Sequence, residues 1–510
     1  VLRRFVIAES AADFTSHAGL GLIGMALERY TDLAADAAAV APLRRDAIGH
    51  RDVLSCYVAM LCLGKSDFEA IEGFRGDELF HVALGLDRVP SEGTLRQRMD
   101  AHAEGFRPVV ETAAVTFVRN VGAPITPLAN GLVVLDCDVT PFDNSKTHKE
   151  GVSRTYKGDD GFAPMAAYLG QEGWCLELEM REGSQHCQKG TPELLERVLV
   201  RARSLTERGL LLRLDSGNDA IDNIAVVEAH NERHPAAQPV RYIVKWNPRQ
   251  ERPEQWLAYA EEHAEWDAPR PGKRVATFDV IVNREHGDYT YPLRRVMRVV
   301  ERTIDKHGQQ LLIPEIEIEG WWTSLWTDPE DIIALYADHG TSEQFHSEFK
   351  TDLDIERLPS GKFATNALVL ACAQLAYNLL RWIGLSLARS RRPRPSQGQA
   401  PTPAHRHAGV DVLGCPIDSH RPTPQARLRL GLPGAARIPP GLRPARRHLI
   451  PSAPSDGPPH CRSGGILLPA TPGRNPKPPS PWSFRQRIGH FSARLRIPAQ
   501  RLQDTRWPRL

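Results

Sequence analysis

Four residues late in the chain have the types and the spacing for chemistry on a phosphate. They follow the pattern Tyr336-x2-His339-x3-Glu343-x6-Lys350. An ideal helix advances about 100° per residue, so these four side chains fall within an arc of roughly 60°. A solvated face can carry such a set by chance, whereas a face built to meet a phosphate and a metal ion would carry it by necessity. Two earlier acids offer partners for Glu343. Asp138 ends the apolar run in "LDCDVT", and Asp215 ends another in "RLDSGND". Three oxygen ligands with open positions suit Mg²⁺ or Mn²⁺, which prefer octahedral oxygen coordination and keep several waters. Two such ions about 3.5–4 Å apart can activate a water or a 3′-hydroxyl and stabilise the leaving oxygen of a phosphodiester. Asp136 points to the same strand face as Asp138, so either can be the first ligand.

These acids need elements to position them. From about Gly131 the pattern is one of alternating strands and helices. "LVVLDCDVT" reads as a buried strand, and "APMAAYLGQEG" and "WCLELEMREG" as two more joined by a Gly turn. "TPELLERVLVRARSLTE" is an amphipathic helix with Thr191 as N-cap and Pro192 at its first position. "LLLRLDSGND" is a fourth strand, "DAIDNIAVVEAHNERH" a helix and "VRYIVKWN" a fifth strand. In a sheet of ribonuclease-H type the first and fourth strands are neighbours. Asp138 and Asp215 would then stand side by side, and a following helix would bring Glu343. Residues from about Pro248 to Thr327 hold short strand-like runs and read as a β-rich insertion. "DPEDIIALYADH" resumes helix, Gly340 is a point where it bends or breaks, and Thr341 or Ser342 can cap its continuation. "TNALVLACAQLAYNLLRWIGLSLA" is an apolar closing helix.

The predicted fold class is therefore α/β. It comprises a helical N-terminal domain over residues 1–125, a catalytic domain over 126–390 with an insertion at about 248–327, and a tail over 391–510. In the N-terminal part "VPSEGTLRQRMDAHAEGF" starts a helix capped by Ser91 or Thr94, whose Arg96 and Arg98 are candidates for phosphate contact.

The tail differs in character from the rest. It holds 23 of the 41 prolines, and 21 Lys+Arg against 4 Asp and no Glu, a charge of +17. The overall charge of +2 thus leaves −15 for the first 390 residues. A segment without apolar periodicity cannot bury enough surface to fold alone. It reads as a disordered basic tail or the product of a frame shift. On the acidic body, any nucleic-acid site must be a local basic patch. The eight cysteines are scattered and form no C-x-x-C pair, so neither a zinc ribbon nor a thioredoxin-type site is suggested, and a reducing cytoplasm is the simplest compartment. No run of about 18 apolar residues exists to span a membrane.

The stretches "LDCDVTPFDNSKTHKEGVSRTYKG", "REGSQHCQKGTPE", "RLDSGND" and "GTSEQFHSEFKTDLDIERLPSGKFATNAL" resemble the DDE transposases of bacterial insertion sequences, in particular the insertion-sequence thirteen-eighty group. The resemblance covers about Thr15 to Gly384. It implies a ribonuclease-H-like catalytic domain with a β-rich insertion after the second acid. It also implies metal-dependent cleavage and strand transfer through Asp138, Asp215 and Glu343, with Mg²⁺ or Mn²⁺ as cofactor. Double-stranded DNA at the terminal inverted repeats and at the target is the implied partner, bound by a homodimer on paired ends in the bacterial nucleoid. Relatives carry Tyr-x2-Arg-x3-Glu-x6-Lys, which contacts end phosphates, so Tyr336, His339 and Lys350 are candidate DNA-binding residues. His339 departs from the family's Arg and lacks its bidentate fork.

Weaker features accompany these. Arg154, Tyr156 and Lys157 in "SRTYKGDDGFAP" are candidates for backbone contact. His186 and Cys187 are adjacent and make a poor metal site. Trp321, Trp322 and Trp326 read first as core, with base stacking as the alternative. Two other functions compete: a DNA-binding remnant of a decayed element, and a metal-dependent nuclease without strand joining.

Overall fold

The computed structural model describes residues 17–249 and 251–390. The tail expected from Arg391 lies outside the described residues. The chain opens with α1 (Leu20–Tyr30), α2 (Leu33–Val40), α3 (His50–Cys62), α4 (Glu78–Leu84) and α5 (Glu92–Asn120). Ser91 caps α5 by accepting from the Thr94 amide at 3.3 Å. Arg98 on its first turns faces inward, donating to the Ile48 carbonyl at 3.3 Å and facing His50 Nδ1 at 3.1 Å. Arg96 pairs with Glu92 at 2.6 Å. The fold thus uses Arg98 itself.

The sheet follows. β1 (Val133–Val139) leads into a small three-stranded sheet of β2 (Phe142–Asp143), β3 (Ser153–Arg154) and β4 (Asp160–Phe162), ordered β2-β4-β3. Then come β5 (Met165–Leu169), β6 (Trp174–Glu179), α6 (Thr191–Arg203), β7 (Leu210–Leu214), α7 (Ile221–Arg233) and β8 (Val240–Lys245). β1, β5 and β6 form an antiparallel meander, while β7 and β8 add in parallel to the other side of β1. The apolar strand runs are continuous because helices cover both faces. Gly190, at φ +79°, is the residue that caps α6. Thr191, expected as that cap, is the first helical residue and donates to the Cys187 carbonyl at 2.6 Å.

The segment after β8 opens with a helix that sequence reading missed, α8 (Pro253–His263), and continues as β9 (Trp266–Arg270), β10 (Lys273–His286), β11 (Tyr289–Ile304) and β12 (Gln310–Thr323). The short strand-like runs are in fact three long antiparallel strands of 14, 16 and 14 residues. β12 returns to β8, pairing Trp321 with Lys245 and Thr323 with Ile243. The insertion therefore prolongs the main sheet to nine strands, in the order β6-β5-β1-β7-β8-β12-β11-β10-β9.

The chain closes with α9 (Pro329–Ala337), α10 (Ser342–Ser347) and α11 (Phe363–Ser390). Residues 363–387 of α11 are long and apolar enough to cross a membrane, but 83% of their 18-residue apolar stretch is buried inside the protein. α11 is a core helix. Its Thr365 donates to Asp100 of α5 at 2.6 Å, and its Asn378 amide reaches the Ala114 carbonyl at 3.4 Å. One apolar cluster runs from Leu20 to Leu380, so the N-terminal helices share their core with the sheet.

Asn378 also covers the sheet's edge. Its Oδ1 accepts from the Cys175 amide at 3.0 Å and its Nδ2 donates to the Cys175 carbonyl at 2.9 Å, satisfying the outer side of β6. Asn378→Leu preserves approximate volume and strands the buried amide. It should destabilise the fold by about 2 kcal/mol or more, since a buried unsatisfied group costs about 1–3 kcal/mol. Urea unfolding checks this; an unchanged midpoint would mean the edge is satisfied otherwise.

Candidate active site

Asp138 and Asp215 are brought together by strand register. β1 and β7 run parallel with Asp136 opposite Arg213 and Cys137 opposite Leu214. One step further along, Asp138 near the end of β1 faces Asp215, the residue that follows β7. Neighbouring strands lie about 4.8 Å apart, so these two carboxylates occupy the same edge. Asp138 is the only residue of β1 that is not buried. Its Oδ1 accepts from the Val139 amide at 2.7 Å. Asp215 opens the turn Ser216–Asn218, and Asn218 donates to it at 2.6 Å. Burial first, and the charge of Asp138 second, push the Asp215 carboxyl above its ordinary value, against the Asn218 hydrogen bond.

Asp136 has a different environment. It is 3% exposed and takes both arms of Arg213, Nε at 2.6 Å and Nη2 at 2.7 Å. His339 Nδ1 lies 3.0 Å from the same carboxylate, and Arg213 Nη1 donates to the Leu335 carbonyl at 2.6 Å. Burial opposes ionisation of Asp136, but the hydrogen bonds and charges of His339 and Arg213 outweigh it and hold the carboxyl below its ordinary value. For His339 burial likewise favours the neutral ring, and the hydrogen bond and charge of Asp136 outweigh it, raising the pKa. Asp136 and Asp138 share a strand face, yet the first is enclosed by partners and the second opens to the edge.

The Tyr336–Lys350 stretch is helical, but not one helix. α9 tightens into a 3₁₀ turn at Asp338–Thr341, α10 follows, and Glu348–Asp352 is a π turn. Changes from 3.6 to 3.0 residues per turn, and then to a wider winding, break the single arc drawn on an ideal helix. Ser342, a candidate cap, donates to the His339 carbonyl at 2.8 Å. Tyr336 is half-buried, its ring 6.3 Å from Trp321 and 5.6 Å from His339. His339 is 7% exposed and turned to Asp136, so the phosphate contact expected of it is not what this structure presents. An imidazole is short enough to reach inward where the expected Arg would reach out. Glu343 is exposed on α10. Lys350 is half-buried over the Phe142 ring at 5.8 Å, and burial followed by the charge of Lys157 lowers its pKa. Arg154 ends β3, paired loosely with Asp160 at 3.6 Å, and Lys157 lies in the turn between β3 and β4. The exposed Tyr156 stands within electrostatic reach of the acids. Partial burial and then Asp138, Asp215, Cys187 and Glu343 push its hydroxyl up to about 12.

Among the described residues, no three His, Cys, Asp or Glu side chains close around a single point. Asp138 and Asp215 form a pair, and Glu343 stands outside it. Two residues near the pair escaped sequence reading. Arg213 pairs across 77 positions in sequence, which no local pattern reveals. His346 lies on α10 three residues after Glu343, and its Nε2 is 3.4 Å from Asp138 Oδ2. The helical spacing Glu-x2-His was the available signal. Of the weaker candidates, Cys187 donates to the Gly217 carbonyl at 2.9 Å, Trp321 and Trp322 are buried, and Trp326 is exposed with Arg294 5.5 Å over its ring.

The fold is thus a mixed α/β sheet with acids at the carboxyl ends of adjacent parallel strands. The family described as transposase DDE domain, group 1, matches residues 3–395. The chain belongs to that family. Among solved structures it is distantly similar to piggyBac transposase in a synaptic complex with hairpin DNA. That likeness has 11% identity and a TM-score of 0.37, and covers 73% of this chain and 76% of that one. No curated protein matches it.

The raised pKa of His339 has a defined sign. The stability it contributes is complete below its unfolded value near about 6.5 and is lost as pH rises through the folded value. His339→Gln keeps a donor toward Asp136 and cannot titrate. Between about pH 6 and 8 the wild type should lose stability relative to this variant, by at most about 1.4 kcal/mol per pH unit. Urea unfolding of both proteins across that range measures it; parallel curves would place the Asp136–His339 contact outside the ionic description.

Proposed function

We propose that the chain is an insertion-sequence transposase that cleaves DNA at the ends of its own element and joins them to a target. Membership of the transposase DDE family supports the class. The sheet order β6-β5-β1-β7-β8, with β1, β7 and β8 parallel, supports a ribonuclease-H-like core, with the insertion entering after β8. The observation that carries the catalytic reading is the Asp138–Asp215 pair at the ends of adjacent parallel strands, where burial first and the charge of Asp138 second raise the pKa of Asp215. Two hard oxygen donors pressed together at an open edge fit a divalent cation, whose charge relieves their repulsion.

Asp138 and Asp215 would hold Mg²⁺ or Mn²⁺, with Glu343 supplying the third carboxylate from α10. When bound, such ions activate the attacking oxygen and stabilise the leaving oxygen of a phosphodiester. The chain's own residues do the rest. Asn218 orients Asp215. Arg213 and His339, through Asp136, fix the end of α9 and hence the approach of α10. Lys350 and Lys157, close enough to repel each other, together with Arg154, offer a cationic track for DNA phosphates beside the acids. Tyr156 adds a hydroxyl donor at the same rim. Two copies on paired ends would form the working complex.

Asp138→Asn, Asp215→Asn and Glu343→Gln should each reduce end cleavage by roughly 10³-fold or more, the equivalent of several kcal/mol of charge stabilisation. DNA binding should persist. Gel assays of end cleavage and strand transfer on the same DNA separate the alternatives: cleavage without joining identifies a nuclease, and binding without cleavage identifies a remnant. If Asp136→Asn alone abolished cleavage in a stably folded protein while Asp138→Asn did not, the first ligand would be misassigned.

Lys350→Ala should weaken binding across DNA sequences alike and lower the slope of log K against log salt by about 0.9, one phosphate contact. Titrations at several salt concentrations read this. A changed sequence preference at constant slope would make Lys350 a base-reading residue instead.

A further inference from the structure

His346 is a buried polar side chain without a hydrogen bond. It is 7% exposed, and neither Nδ1 nor Nε2 has a hydrogen-bond partner. Buried polar groups are nearly always satisfied, and one left unmet calls for an explanation. Packing places the ring. Its edge meets the Tyr168 ring at 5.5 Å and 84°. The preceding Phe345 fills the space over Gly173, where a Cβ would lie 2.3 Å from the ring. Glu348, two residues on, pairs with Arg381 of α11. Held this way, His346 places Nε2 3.4 Å from Asp138 Oδ2 but outside hydrogen-bond geometry, beside the carboxylate oxygen not taken by the Val139 amide.

That separation is what two ligands of one ion adopt. Bonds of about 2.1 Å at 90–110° place adjacent donors about 3.0–3.4 Å apart. We propose that His346 contributes an imidazole nitrogen, beside Asp138 Oδ2, to the divalent ion of this site. The site is then a mixed oxygen–nitrogen set, with Glu343 and His346 presented from successive turns of α10. The inference rests on reading Asp138 and Asp215 as a cation site. It adds a preference: imidazole suits transition ions and not Mg²⁺, so the site should favour Mn²⁺ over Mg²⁺ more than carboxylates alone would.

The test uses the full chain and Mn²⁺ itself, without DNA. Pulsed electron paramagnetic resonance of the Mn²⁺-loaded wild type should show a nitrogen coupling that changes with ¹⁵N-histidine labelling. The coupling should persist in His339→Gln and vanish in His346→Gln. Calorimetry should give a Mn²⁺ Kd weakened in His346→Gln by more than the about 10–100-fold that loss of an outer-shell partner produces. Mg²⁺ affinity should change less. Should His346→Gln fail to fold, the labelled coupling in the wild type and in His339→Gln still decides the matter. Mn²⁺ bound without a histidine coupling, with Asp138→Asn abolishing binding, overturns the role of His346 and leaves the cation site standing. Mn²⁺ affinity indifferent to Asp138→Asn overturns both.

Discussion

The buried contact of Asp136 with Arg213 and His339 is the constraint on which the site depends. It ties three parts of the chain far apart in sequence: β1, β7 and the segment leaving α9. Removing charges from water is expensive, and a buried pair is tolerated only when nearly every donor and acceptor is met. Here the carboxylate is met by three donors, and the guanidinium reaches past it to the Leu335 carbonyl. Such an arrangement contributes less to net stability than to uniqueness of register. A slip of β1 against β7 by one residue would turn Asp136 away from Arg213 and leave both buried and unpaired. The same register sets Asp138 against Asp215 two residues further on. The inner pair is a positioning device for the outer one.

The insertion is bound to the same edge. Asp219, four residues after Asp215, accepts from Arg284 of β10 at 2.7 Å and from the Asn247 amide at 2.9 Å, while Arg249 donates to its carbonyl at 2.6 Å. The turn carrying Asp215 is therefore clamped between β8 and the insertion. Deeper in, Arg295 of β11 lies between the rings of Trp246, Trp256 and Trp322 at 4.6 to 4.9 Å and pairs with Glu251 at 3.1 Å. Cation–π contacts strengthen when desolvated, and Arg295 is 3% exposed. With β12 paired to β8, displacement of the insertion would be transmitted along the strand next to β7. The insertion is mechanically part of the sheet that holds the acids.

Much of this sheet was legible in the sequence because its signals are local. The Val/Leu runs ending in Asp138 and Asp215 announce buried strands, and the alternation with helices gives their kind of connection. The α8 stripe of Trp256, Leu257 and Ala260 was equally local but narrow, and strand-like neighbours obscured it. The fate of Asp136 was not legible. Its equivalence to Asp138 follows from strand periodicity, and only the long-range approach of Arg213 and His339 separates the two. The winding of residues 336–352 was hidden for a related reason. Helical arcs assume a uniform turn, whereas 3₁₀ and π turns are imposed by packing, here by His339 reaching inward and by Arg381 holding Glu348.

The histidine at 339 can be understood from this geometry. A guanidinium in its place, turned inward, would meet that of Arg213 over one carboxylate, and two buried cations on one anion leave a net charge in the core. Turned outward, it would release Asp136 from its third donor and the α9 end from β1. An imidazole is short, fits the 3₁₀ turn and, unlike a guanidinium, can still donate to Asp136 from its neutral form. That face turns its central cation inward, and the cations left beside the acids are Lys350, which lies near Lys157, and the exposed Arg154. The cationic rim is then drawn from two separate elements, the π turn and the turn between β3 and β4, which bring Lys350 and Lys157 close enough to repel each other.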